Sequence, residues 1–381
     1  MEEQRLKKNT PKKMLSKAIV RLRSRSRLDA MKRFVTPEGQ LSFIHFNDVY
    51  NIQERANREP CGGAARFTTM CEKLKKEHSA LVMFSGDCLA PSIMSTVTQG
   101  SQMPVVLNKI GVDVAVYGNH DFDFGISNLE KRARESNFPW LISNVLDRKT
   151  NRPLANGIHE HILTHQGNRV GVIGLVEKEW LATLSTIDED EVLYEDFVTC
   201  GRRLAESLRR RGVHFVVALT HMRKPNDERL AKEAPEVDLI LGGHDHNYVV
   251  EVVSGRQIVK SGTDFRDLTA IHIDFDAKKE DENSFSTCNG AVYTLRTERH
   301  SITKKIKPDK DVEMIVERYR KVLGAKMDKI IGSCDVPLDS RFSRIRTRET
   351  NLGNFIADTI RHSVSCDVVS IDVRARRACT Y

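Results

Sequence analysis

No stretch of the sequence holds the roughly 18 consecutive apolar residues of a membrane-spanning helix, and residues 1–40 lack the continuous apolar core of a secretory signal. A soluble, cytoplasmic protein is therefore expected. No CxxC pair occurs among the eight cysteines, at 61, 71, 88, 200, 288, 334, 366 and 379. In a chain this long they read as reduced thiols, not as a disulfide framework. Internal repeats are absent. Beyond residue 40 there is no excess of charge either: twelve of the 60 basic and four of the 52 acidic residues precede Leu41, so the net charge of +8 resides wholly in the N-terminal arm.

With 381 residues the chain can bury a large core, and its length suggests two or three domains. The arm, residues 1–40, reads as a solvated, disordered tail. A second reading makes it an electrostatic hook for anionic lipid or RNA, because Met14, Leu15, Ala18, Ile19 and Leu22 form a narrow apolar stripe on a basic helix. No aromatic stacking platform accompanies it, so specific nucleic-acid recognition is not expected.

From Leu41 onward, apolar runs alternate with helical stretches. Leu41 to Phe46 is followed by a helix near Gly63 to Lys76, then "ALVMFSGD", a helix near Met103 to Ile110, and "VDVAVYGNHD". "RVGVIGLV", "VHFVVALTHM" and "VDLILGGHDH" continue the series. Alternation of this kind implies βαβ units and sheets buried on both faces.

Polar chemistry collects where these runs stop. Asp48, Asp87, Asn119, His120, His221, His244 and His246 each lie within a few residues of a strand end, the edge at which open α/β sheets bind ligands. Gly86, Gly118, Gly242 and Gly243 allow the backbone to turn sharply and approach an ion or phosphate. Carboxylate, amide and imidazole donors together suit Mn, Fe or Zn better than Mg or Ca. Taken singly, each residue has a plainer reading: a histidine satisfied after its strand, or an aspartate capping a turn. His159, His161 and His165 in "HEHILTH" read as the exposed face of a hairpin.

The ordered set of Asp48, "GD" at 86, "GNHDFDFG" at 118, "TH" at 220 and "GGHDH" at 242, with "SNV" at 143 and "NLGNFIADTIR" at 351, resembles the calcineurin-like metallophosphoesterase superfamily, and its 5′-nucleotidase branch in particular. The resemblance covers roughly residues 41 to 370. It implies a four-layer α/β sandwich, two mixed β-sheets flanked by helices, followed by an α/β C-terminal domain.

The resemblance also implies two divalent cations. Asp87 bridges them, Asp48 and His246 complete the first site, and Asn119, His221 and His244 form the second. His120, oriented by Asp123, stabilises the transition state and assists the leaving oxygen, and Asn144 is assigned to substrate contact. The implied activity is hydrolysis of a phosphate monoester of a small metabolite, of nucleotide or sugar-phosphate type. The alternatives are a cyclic-nucleotide phosphodiesterase and a metal-binding regulatory or scaffold protein without turnover.

Two departures from that pattern stand out. The family usually reads Asp-x-His at the first element, whereas this chain has Asp48, Val49, Tyr50. A neutral phenol is a poor ligand, so the reading adopted places Tyr50 behind the ligands as a hydrogen-bond donor, with water completing the site. The Asp-Val-Tyr form resembles a subgroup of intracellular relatives that includes sugar-phosphate and phosphoglycerate-type phosphatases, which weakens the nucleotidase assignment more than the phosphatase one. The second departure is C-terminal. "DKDVEMIVERYRKVLGAKM" reads as an amphipathic helix and "ETNLGNFIADTIRHSVSCDVVSI" as a turn, a helix and a strand, but "DVRARRACTY" replaces the expected Asn-Gly-Gly segment. The expected layout is thus an arm (1–40), a catalytic domain (41–300) and an incomplete C-terminal domain (301–381), mobile beyond about residue 330.

Overall fold

The computed structural model describes residues 37–369, except 185, 277–283, 346 and 365. The expected arm lies outside these residues but for its last four, of which Gln40 opens the first strand. No helix among the described residues is long and apolar enough to cross a membrane.

Two sheets form the first compact unit. A seven-stranded sheet runs in the order Ser284–Ser286, Val292–Ser301, Asp267–Asp274, Gln40–Phe46, Leu81–Phe84, Val114–Val116, Trp140–Leu141. A six-stranded sheet runs Tyr248–Val253, Arg256–Ser261, Leu239–Gly242, Phe215–His221, Asn168–Val176, Glu160–His165. The seven-stranded sheet is parallel from Gln40–Phe46 to Trp140–Leu141 and antiparallel from Gln40–Phe46 to Ser284–Ser286, and the six-stranded sheet is parallel at its centre and antiparallel at both edges. The mixed α/β sandwich expected from the sequence is thus the observed fold.

The layering follows from the two-residue period of a strand. In Gln40–Phe46, Leu41 and Phe43 point into the core between the sheets, where they meet Val170, Val172, Phe215 and Val217. Ile44 and Phe46 point the other way, onto the helices Ala64–His78 and Gln102–Ile110 through Phe67, Cys71, Met103 and Leu107. On the far side, Ile173, Leu175, Val216 and Ala218 cover the helices Phe197–Arg210 and Lys224–Glu233. Each central strand is buried on both faces, which is why it reads as an unbroken apolar run. The Phe197–Arg210 helix starts at Asp196, whose carboxylate accepts the N–H groups of Val198 and Thr199 at 3.1 and 3.3 Å.

The boundary of the first unit falls between Gly324 and Ala325, not at 300. The helix Lys310–Met327 explains the difference. Its Val312 is buried in the first unit's core, Ile315, Val316, Tyr319 and Leu323 pack against that core, and the Tyr319 hydroxyl donates to the Ser101 carbonyl at 3.0 Å. The second unit contains the helices Phe342–Ile345 and Asn351–Val364. The strand expected after Val364 is not formed over residues 366–369, which are irregular. A strand needs a neighbour to take its N–H and C=O groups, and none of the second unit's described residues is extended in a sheet.

Candidate metal centre

Two strand registers bring the candidate residues together. In the seven-stranded sheet, Phe46 pairs with Phe84, so the loops carrying Asp48 and Asp87 leave side by side. Asp48 N–H donates to the Gly86 carbonyl at 2.9 Å and Val49 N–H to the Asp87 carbonyl at 2.8 Å. In the six-stranded sheet, Thr220 pairs with Gly242, which sets His221 beside the His244 loop. The two edges then lock: His244 N–H donates to Asp48 Oδ2 at 2.9 Å, and His221 Nδ1 donates to the Ser85 carbonyl at 2.7 Å.

Asp48, Asp87 and His221, all buried, have ligand atoms within 4.8 Å of one another. Asp87 Oδ2 faces His221 Nε2 at 3.3 Å, His244 Nδ1 faces Asn119 Oδ1 at 3.1 Å, and His246 Nε2 faces Asp48 Oδ1 at 3.4 Å. Asp48, Asp87 and His244 hold left-handed backbone at φ 53°, 63° and 72°, a conformation costly for side-chain-bearing residues and concentrated at functional sites. Close approach explains two of the glycines. A Cβ on Gly118 would stand 2.1 Å from Asp87 Oδ1, and one on Gly243 would stand 2.2 Å from the Ser85 oxygen.

These residues fit a divalent cation on chemical grounds. With Nδ1 donating to Ser85, His221 turns Nε2 toward a carboxylate, and that buried nitrogen has no hydrogen-bond partner. A lone pair and a carboxylate oxygen 3.3 Å apart need either a proton or a metal ion between them. Without metal, burial opposes protonation, yet the negative charge of Asp87 outweighs it and lifts His221 to about 10. Asp87 moves the opposite way: burial favours its neutral form, but His221, then His120 and His244, hold it below the usual carboxylate range.

Tyr50 stands directly against the candidate ligands as a hydrogen-bond donor. Its buried hydroxyl lies 3.1 Å from Asp48 Oδ1, 3.1 Å from Asp87 Oδ2 and 3.0 Å from His246 Nε2, in contact with every expected ligand of the first site. Burial, with the charges of Asp87 and Asp48, pushes its pKa well up, so the phenol is neutral and donates its single proton.

His120 stands beside the ligands and partly open to solvent. Its Nδ1 meets Asp123 Oδ2 at 2.9 Å, while its backbone N–H donates to Asp87 Oδ1 at 2.9 Å. Burial draws its pKa down, but the Asp123 hydrogen bond and the charges of Asp87 and Asp123 prevail and raise it to about 9.

The residues that hold this arrangement are ones the sequence did not single out. Buried Asp121 accepts the N–H groups of Asp87 (3.1 Å), Cys88 (2.8 Å), Leu89 (3.1 Å) and Gly118 (2.9 Å), tying two ligand loops to one carboxylate. Lys260, wholly buried, pairs with Asp227 at 2.8 Å and Asp245 at 3.0 Å and donates to the Met222 and Gly243 carbonyls, both at 2.7 Å. A lysine within the apolar run "QIVKS" was the available signal. His45 bridges the sheets, with Nδ1 2.8 Å from Ser261 Oγ and Nε2 2.9 Å from Ser85 Oγ.

Two expectations end differently. Asn144 is not a substrate contact: it is buried, its Nδ2 donates to the Val176 and Glu195 carbonyls at 2.8 and 3.1 Å, and its Oδ1 accepts the Val176 N–H at 3.0 Å. Its amide is fully used in bracing backbone. The "HEHILTH" histidines do lie on a hairpin, Glu160–His165 running antiparallel to Asn168–Val176, but they are partly buried, not exposed. They join no candidate metal cluster among the described residues. Cys88 is buried, and burial with the Asp121 charge raises its thiol well above the ordinary range, as suits an inert structural cysteine.

Comparison with known proteins agrees with this geometry. The chain belongs to the calcineurin-like phosphoesterase family, whose pattern matches residues 41–248; the family uses divalent metal ions. It is 26% identical over 359 residues to the 5′-nucleotidase of Bos taurus, which spans 84% of this chain and 59% of the bovine one. It is also 26% identical over 354 residues to a trifunctional nucleotide phosphoesterase of Bacillus subtilis, covering 84% of this chain and 23% of that one. The chain therefore spans less than two thirds of these relatives. Among solved structures, a 5′-nucleotidase precursor from Thermus thermophilus superimposes with a TM-score of 0.67 at 21% identity, over 86% of this chain and 67% of that one. The NAD nucleotidase of Haemophilus influenzae does so with 0.67 at 17%, over 85% and 68%. At these identities the likeness is one of fold.

Proposed function

We propose that the chain is a metal-dependent phosphomonoesterase acting on a small phosphorylated metabolite of nucleotide or sugar-phosphate type. The observation that carries this reading is the buried His221 Nε2, without a hydrogen-bond partner and turned to Asp87 Oδ2 at 3.3 Å. Asp48, Asp87 and His246 would hold one divalent cation and Asp87, Asn119, His221 and His244 a second, of Mn, Zn or Fe type. When bound, such a pair supplies Lewis-acid polarisation of the phosphoryl group and a lowered pKa for water.

The protein's own contribution is positional and protonic. His120, lifted to about 9, carries its proton at neutral pH. Asp123 engages Nδ1 and leaves Nε2 free to give a proton to the departing ester oxygen. The loop bonds from Asp121 and Lys260 hold the ligands before substrate arrives, so little reorganisation remains for the transition state.

The test compares hydrolysis of p-nitrophenyl phosphate by manganese-loaded and chelator-treated protein, with Asp87→Asn and His120→Ala as controls. Activity that needs metal and falls by about a hundredfold or more in each variant is expected. Folded, metal-loaded protein without turnover would return the reading to a metal-binding scaffold.

A further inference from the structure

A cavity of about 200 Å³ lies beside the metal centre, with His246 in its wall and Arg55, Arg266 and Arg299 among its lining. His246 also faces the centre, with Nε2 3.4 Å from Asp48 Oδ1. Thr263, another wall residue, donates from Oγ1 to the Asp48 carbonyl at 2.6 Å, and Asn47 Nδ2 donates to the Gly262 carbonyl at 2.8 Å. Cavity and ligand loop are therefore braced together, separated by a single side chain.

The three guanidinium groups differ in how far they are already committed. Arg299 forms a two-pronged pair with Asp267 at 2.9 and 3.1 Å and lies 4.4 Å over the Tyr248 ring. Arg266 donates through Nε to the Thr263 carbonyl at 3.0 Å, and Arg55 donates through one terminal nitrogen to the Pro60 carbonyl, while its Nε is buried without a partner. Neither pairs with a carboxylate among the described residues. Asp264, whose charge Arg55 feels, is turned instead to the N–H groups of Tyr50 and Asn51 at 3.2 and 3.3 Å. Burial, and then the like charge of Arg266, lower the Arg55 pKa, so the two cations repel each other. Planar guanidinium donors match carboxylate and phosphate oxygens. A stacked base is served poorly here, because Arg299 already covers the Tyr248 ring.

We propose that this cavity binds a second anionic group, a phosphate or a carboxylate, on the same small ester whose phosphoryl group is cleaved at the metal centre. The substrate class is thus a metabolite charged at both ends. The inference rests on the hydrolase reading above.

The experiment uses the manganese-loaded chain and matched alkyl phosphates of two to four carbons that end in a hydroxyl, a carboxylate or a second phosphate. At least one anion-ended ester is expected to exceed the hydroxyl-ended one in kcat/KM by about tenfold or more. The faster of the two names the group. Arg266→Gln and, separately, Arg55→Gln should each shrink that ratio by about threefold or more. Equal kcat/KM for all three esters overturns the proposal and leaves the phosphatase reading standing. If no ester turns over, the hydrolase reading fails instead, and calorimetric titration of the same esters decides the cavity. Tighter binding of an anion-ended ester, weakened in both variants, supports it; equal affinities overturn it.

Discussion

The bond from His221 Nδ1 to the Ser85 carbonyl, 2.7 Å long, decides which nitrogen of that imidazole meets Asp87. Ser85 opens a loop of one sheet and His221 ends a strand of the other, so the tautomer of a candidate ligand is set by how the two sheets abut.

From that bond follows the first expectation. Removing His221 to alanine, or changing Asp87 to asparagine, should weaken manganese affinity by about a hundredfold, since each takes one donor from a compact buried set. Isothermal calorimetry reads this directly. Affinity unchanged in His221→Ala would take the residue out of the ligand set.

Asp121 makes a prediction about stability. Its carboxylate serves four backbone N–H groups, so Asp121→Ala strands buried donors and should cost on the order of 3–5 kcal/mol, whereas Asp121→Asn keeps one acceptor oxygen and should cost less. Urea denaturation of both variants gives the order. If alanine were no worse than asparagine, the loops would be held by something else.

Tyr50 offers a test by metal content. A phenol touching Asp48, Asp87 and His246 stands where the family carries an imidazole donor, so the wild-type chain is expected to keep one cation per chain through gel filtration and Tyr50→His to keep a second. Elemental analysis by plasma mass spectrometry counts them. Identical metal content in the two proteins would show that the phenol does not limit occupancy.

His45 supplies the pH dependence. Burial, and then the charge of Lys260, depress its pKa to about 3, against 6.5 for an exposed histidine. The unfolded chain takes up this proton first as pH falls, so the stabilising effect is complete above about pH 6.5 and drains away toward pH 3. The slope is about 1.4 kcal/mol per pH unit for one proton. His45→Gln should therefore show a shallower loss of stability between about pH 6 and pH 4 in denaturant titrations. Parallel curves for variant and wild type would assign the acid sensitivity to other groups.

Much of the centre was legible because strands buried on both faces stand out as apolar runs, and because the chemistry sits where those runs stop. Asp48, Asp87, Asn119, His221, His244 and His246 could be ordered in this way, and the structure gathers them. An antiparallel strand such as Val292–Ser301 carries charged residues on its open face and gave no comparable signal. Asp121 and Lys260 were missed because their partners are backbone groups and acids brought near only by folding. Asn144 misled for a related reason: an amide next to a strand end looks available in sequence, and only the packing shows it fully engaged. The position of Tyr50 could be named from the sequence, but its three contacts could not, since they depend on a hydroxyl reaching across from one sheet's loop to the histidine of the other.

Asp48, Asp87 and Asn119 ride on the seven-stranded sheet, and His221, His244 and His246 on the six-stranded one. An ion held by both sets would work as a clasp across the sandwich, and emptying the pocket would let the halves breathe apart. Starving the protein of metal should then surface as fragility to heat and proteases, quite apart from any loss of turnover.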